Sequence, residues 1–236
     1  MKNLVKIAVL SFVVLIACSS ASTESEDNGS WYVTIKGKVG FPQQGQIVIQ
    51  ELKSNTTAGW QDTIKLKSNY TFAKKIKLTE PGYYRINFYN TQVINLIVDR
   101  SDIEVNVDGN NPQGFSEIIG SRDIDIISNA QKMLRATETM PEVAKLNEEF
   151  ATAQRAGNEA KMLELQQTYM KLDKVNKDKV AAYLKEQAPS LAVVNLLQNN
   201  SLDADEYFDL YLSVADKLRT SWGSYSHAKT FIEKVD

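Results

Sequence analysis

The 236-residue sequence predicts a β + α protein: an antiparallel β-sandwich-like module over residues 31–120, then an all-α helical module over 121–236. Three observations carry that reading. Apolar and polar residues alternate from Trp31 onward, the apolar period lengthens to about 3.6 after Gly120-Ser121, and the composition is ordinary for a globular chain. At 43% apolar and 24% charged, the chain can bury one sizeable core or two small ones.

The first element is a leader. Residues 1–17 begin with Lys2 and Lys6, continue as an uninterrupted small and apolar run from Ile7 to Ala17, and stop at Cys18. This is the pattern of a secretory signal peptide, too short to span a hydrocarbon core of about 30 Å. Leu15-Ile16-Ala17-Cys18 resembles the lipobox of bacterial lipoproteins. The resemblance implies cleavage before Cys18, a diacylglycerol thioether on its sulfur and an acylated amine, with palmitate as the expected chain. Several acyl chains, at about 0.8 kcal/mol per buried methylene, hold a protein on a membrane where one does not. Residues 18–30 continue as a Ser-rich acidic tether, and Ser19 beside the cysteine resembles the signal for outer-membrane sorting. A lipid-anchored envelope protein of the outer membrane is expected, with the periplasmic and surface faces both open.

Seven strands are expected between Trp31 and Val107: 31–36, 46–52, 60–66, 70–78, 83–89, 92–98 and 103–107. Turn chemistry separates them, as in Lys53-Ser54-Asn55, Ser68-Asn69, Glu80-Pro81-Gly82 and Asn90-Thr91. Short links favour antiparallel neighbours, and Ile103-Glu104-Val105-Asn106-Val107 alternates as a sheet with one wet face does. In the helical module, Ile124 to Leu134 supplies one apolar face, Pro141 opens a second helix as a first-turn residue, and Gly157-Asn158 breaks it. A long helix from Glu159 to about Gln187, an apolar segment from Leu191 to Leu197 and a helix from Asp203 to Leu218 complete the expectation.

The composition restricts function. With residues 1–17 removed, 25 basic side chains face 29 acidic ones, a net charge of −4, and no basic field for nucleic acid is present. One cysteine and one histidine, His227, exclude an intrachain disulfide, a CxxC pair, a cysteine-rich zinc site and imidazole-rich metal sites. No catalytic, metal or cofactor residue is assigned, and Asp62 is a lone carboxylate with no identifiable acid or base partner. His227 is expected to be exposed or singly bonded. Trp60 and Tyr84 are the candidate ligand-contact residues, although aromatics also pack well on a pleated surface.

Thr34-Ile35-Lys36-Gly37-Lys38-Val39, Gln61 to Leu66, Pro81 to Ile86, Ile103-Glu104-Val105, Ile119-Gly120-Ser121, Ala151 to Lys161 and Tyr183 to Leu197 carry a wider resemblance. Together they resemble the N-terminal domain, of unknown function, of envelope thioredoxin-like thiol:disulfide oxidoreductases (TlpA/ResA-like, AhpC/TSA class). That family continues into a CxxC thioredoxin fold, and these 236 residues contain no such motif. The expected function is therefore a non-catalytic, lipid-anchored binding or interaction module, with the membrane as one partner through Cys18 and a protein partner or self-association as another. Two alternatives stand beside it: an N-terminal fragment of such an oxidoreductase, and a surface glycan- or peptide-binding lipoprotein.

Overall fold

The computed structural model describes residues 29–53 and 59–236. Cys18, the leader, the tether up to Asn28 and most of the Lys53-Ser54-Asn55 turn lie outside the described residues. Eight strands form two four-stranded sheets: β1 (Trp31–Val39), β2 (Ile47–Leu52), β3 (Gln61–Ile64), β4 (Thr71–Leu78), β5 (Gly82–Phe88), β6 (Gln92–Val98), β7 (Ile103–Val107) and β8 (Ser116–Ile119). The orders are β4-β1-β7-β8 and β3-β2-β5-β6.

Alternation determines what each face meets. Val33, Ile35, Ile76, Phe72 and Val105 from the first sheet pack against Ile49, Ile86, Phe88 and Leu96 from the second in one buried cluster. Each such side chain contributes about 1.5–3 kcal/mol when fully buried. The pairing is antiparallel except between β1 and β7, which run parallel with Ile35 beside Ile103. The paired strands that are adjacent in sequence, β2–β3, β5–β6 and β7–β8, are antiparallel as expected. Short links constrain only strands adjacent in sequence, and β1 and β7 are not.

The eighth strand is also a correction to the expected seven. It pairs with β7 from Glu104↔Ile119 to Val107↔Ser116 and leads through Gly120 into the helices. Gly120 has φ +91°, and an added Cβ would sit 2.6 Å from the Asp102 carbonyl oxygen. Only glycine fits that turn.

Six helices follow: α1 (Arg122–Arg135), α2 (Pro141–Arg155), α3 (Glu159–Glu186), α4 (Leu191–Gln198), α5 (Phe208–Trp222) and α6 (Ser226–Val235). Pro141 is the first residue of α2, and Gly157 (φ +64°) with the Asn158 cap separates α2 from α3. The helix expected over 203–218 begins instead at Phe208. Asp203 accepts from the Asp205 and Glu206 amides, which ties the preceding residues into a turn.

A buried polar relay joins two helix starts. Ser190 caps α4 by accepting from the Ala192 and Val193 amides, and its hydroxyl donates to Asp123 Oδ1 at 2.7 Å in the first turn of α1. Burial pushes the Asp123 carboxyl above its ordinary range, opposed by the Ser190 bond. The helices form their own apolar cluster, into which Ile97 of β6 inserts. One row on the outer face of the second sheet, Leu52, Tyr83 and Ile97, thus carries the helices.

Candidate functional site

Adjacent tyrosines on β5 point to opposite sides. Tyr84 turns into the sandwich and is 6% exposed; Tyr83 turns outward, and its hydroxyl donates to the Leu191 carbonyl at 2.8 Å. The imidazole of His227 meets the Tyr83 ring edge-on, with centroids 4.6 Å apart. Glu80 closes this seam by accepting from both the amide and the hydroxyl of Ser226, at 2.7 and 2.6 Å, at the start of α6.

Beyond the seam the helices diverge from the sheet and leave a cleft of about 520 Å³. The periodicities of its walls explain its lining. On α6, His227, Thr230 and Lys234 fall at i, i+3 and i+7; on α4, Asn195, Gln198 and Asn199 at i, i+3 and i+4; on α1, Ile124 and Ile127 at i and i+3. Arg85 and Asn95, paired across β5 and β6 one row along from Tyr83 and Ile97, form the floor. Arg85 Nε donates to Asn95 Oδ1 at 3.1 Å, and Asn199 Nδ2 donates to Asn195 Oδ1 at 3.2 Å. The cleft volume lies within the usual range of small-ligand sites, about 300–1,000 Å³.

Chemically, the lining offers fixed cations, carboxamides and an aliphatic wall. Its described residues include no carboxylate, serine or cysteine. Such groups hold and orient a ligand. No grouping of three or more His, Cys, Asp or Glu suited to a metal ion occurs among the described residues, and none of their helices is long and apolar enough to cross a membrane.

The two aromatic candidates occupy different environments. Tyr84 borders the cleft but is largely sequestered in the sandwich, where burial raises its phenol pKa further than the nearby Glu51 and Glu80 charges do. Trp60, 42% exposed, precedes β3; its amide donates to Glu51 Oε2 at 3.2 Å, and it does not line the cleft. Asp62 is held by Lys74 in an ion pair, which with the Thr63 amide keeps its carboxyl below the usual range.

Of the two expectations for His227, exposed or singly bonded, the second fits: it is 9% exposed, bonds the Leu52 backbone, and lies in α6, a helix that sequence periodicity did not reveal. Burial lowers its pKa below the ordinary 6.5, against the Glu80 and Glu51 charges and a hydrogen bond with the Leu52 backbone. As pH falls below 6.5, the unfolded chain therefore takes up this proton before the folded one, and the associated stability declines until the folded imidazole also titrates. Asp123 has the opposite sign, because a raised carboxyl pKa favours the folded state as pH falls through that value. Urea midpoints at pH 7.5 and 5.5 isolate the histidine: His227→Gln is expected to lose less stability than the parent chain on acidification, and equal losses would remove its role.

A second groove, about 530 Å³, runs between α2 and α3 and is bordered by Leu146, Phe150, Leu165 and Met170, the last 68% exposed. Compared with family models, curated proteins and solved structures, the chain matches none.

Proposed function

We propose that this chain is a lipid-anchored cell-envelope protein that acts as a binding module, holding its ligand in the cleft between the second sheet and α1, α4 and α6. The observation that carries the reading is the cleft's lining: Arg85, Lys234 and four carboxamides face an open volume bounded by two rigid layers. Sites built on strands and helices hold their groups more accurately than sites built on loops. The anchoring half of the proposal rests on Leu15-Ile16-Ala17-Cys18, and the resemblance to the N-terminal domains of envelope oxidoreductases is consistent with the same location.

Two measurements test the two halves. Cys18→Ser is expected to move the protein from the detergent-requiring membrane fraction to the soluble fraction; continued partition with membranes would reject the anchor. For the cleft, the purified chain is incubated with envelope extract and the retained molecules are weighed by mass spectrometry. Retention of unaltered molecules, lost on Gln198→Trp, is the expected result. Conversion of the retained molecules to products, or retention unchanged by Gln198→Trp, would overturn it.

A further inference from the structure

The hydrogen bonds inside the cleft are unevenly spent. Asn95 uses its carbonyl oxygen to accept from Arg85, and Asn195 uses its carbonyl oxygen to accept from Asn199. Both amides therefore turn their NH₂ donors to the remaining partners. Arg85 commits Nε to Asn95 and keeps its two terminal nitrogens, and no carboxylate among the described residues lies within ion-pair distance of Arg85 or of Lys234. The carboxylates nearest the seam are already engaged, Glu80 by Ser226 and Glu51 by the Trp60 amide and by Lys53, itself a lining residue, which leaves Arg85 and Lys234 as the cations without a carboxylate partner among the described residues. The cleft has surplus donors and surplus positive charge.

We infer that the cleft binds an acidic peptide, with a ligand carboxylate on the terminal nitrogens of Arg85 and near Lys234. This rests on the binding-module reading above and names its ligand class. A guanidinium presenting two parallel N–H groups suits a carboxylate better than a point cation does. Ile124 and Ile127 give the opposite wall an aliphatic surface suited to a nonpolar peptide side chain, and the carboxamide donors suit backbone carbonyls. Tyr83, the outward-facing aromatic of this lining, is already engaged, its ring in a T-shaped contact with His227 and its hydroxyl on the Leu191 carbonyl.

Calorimetric titration of the purified chain with acetyl-Leu-Glu-Leu-Glu tests this, alongside acetyl-Leu-Gln-Leu-Gln-amide, trigalacturonate and inorganic phosphate. Saturable binding of the acidic peptide is expected, weakened at least about tenfold by the exposed double substitution Arg85→Gln/Lys234→Gln and weakened by added salt. Equal binding of the neutral peptide, preference for trigalacturonate or phosphate, or no effect of the double substitution would overturn the assignment, as would no binding of the acidic peptide at millimolar concentration. Circular dichroism of the double variant confirms that any loss is not unfolding. Retention of a neutral molecule in the extract experiment, lost on Gln198→Trp, would end the acidic-peptide assignment and leave the binding module standing; loss of cleft-dependent retention would end the module itself.

Discussion

Gly37→Ala is expected to lower stability by about 4 kcal/mol, above the usual 1–3 kcal/mol for overpacking, because the colliding atom is backbone. Gly37 sits within β1 between Phe72 of β4 and Val105 of β7. A Cβ there would lie 1.8 Å from the Val105 carbonyl oxygen and 3.1 Å from the Phe72 ring. The ring can shift; the carbonyl cannot without opening the parallel β1–β7 ladder. Replacing glycine also restricts the unfolded chain, worth about 0.5–1 kcal/mol in the opposite direction and too little to compensate. For a chain of this size the expected change is a fall in melting temperature of roughly 10 °C or more. Gly157→Ala is the control: its φ is +64° but an added Cβ meets nothing within 4 Å, so only about 1 kcal/mol of backbone strain is expected. Equal melting temperatures for the two variants would refute the packing described for β1.

Phe231→Ala is expected to cost about 3–5 kcal/mol, the range for emptying a buried aromatic position. The ring is fully buried in α6 and stacks on Tyr211 of α5, with centroids 6.0 Å apart. The Tyr211 hydroxyl lies 2.9 Å from the carbonyl oxygens of Leu197 and Leu202, so the ring pair fixes α6 to the end of α4. Those two helices supply two walls of the cleft. Phe231→Leu, which retains most of the volume, is expected to lose much less. Because the Leu52-Tyr83-Ile97 row joins the layers, both Gly37→Ala and Phe231→Ala should shift one common transition, followed by circular dichroism and by tryptophan fluorescence. Separate transitions for strands and helices would contradict the seam.

Much of this architecture was legible because binary patterning is local. Alternation located seven strands, and the change of period at Gly120-Ser121 located the step from sheet to helices. What escaped has identifiable causes. β8 is a four-residue edge strand with little burial, so it carries no alternation to read. α6 follows Gly223-Ser224-Tyr225, which reads as loop, and buries a histidine where an apolar residue would have signalled the face. The opposite orientations of Tyr83 and Tyr84 follow from strand periodicity and could have been anticipated. The cleft could not: Arg85, Asn95, Asn195 and Lys234 come from four elements, share no motif, and gain meaning only from tertiary juxtaposition.

The most direct test of the cleft as the binding site is a nuclear magnetic resonance titration of the labelled chain with the molecules retained from envelope extract, read at the side-chain NH₂ signals. Asn95, Asn195, Gln198 and Asn199 are predicted to shift together and saturate at one midpoint. Shifts confined to Asn147 and Gln166 in the α2–α3 groove, with the four cleft amides unmoved, would contradict it.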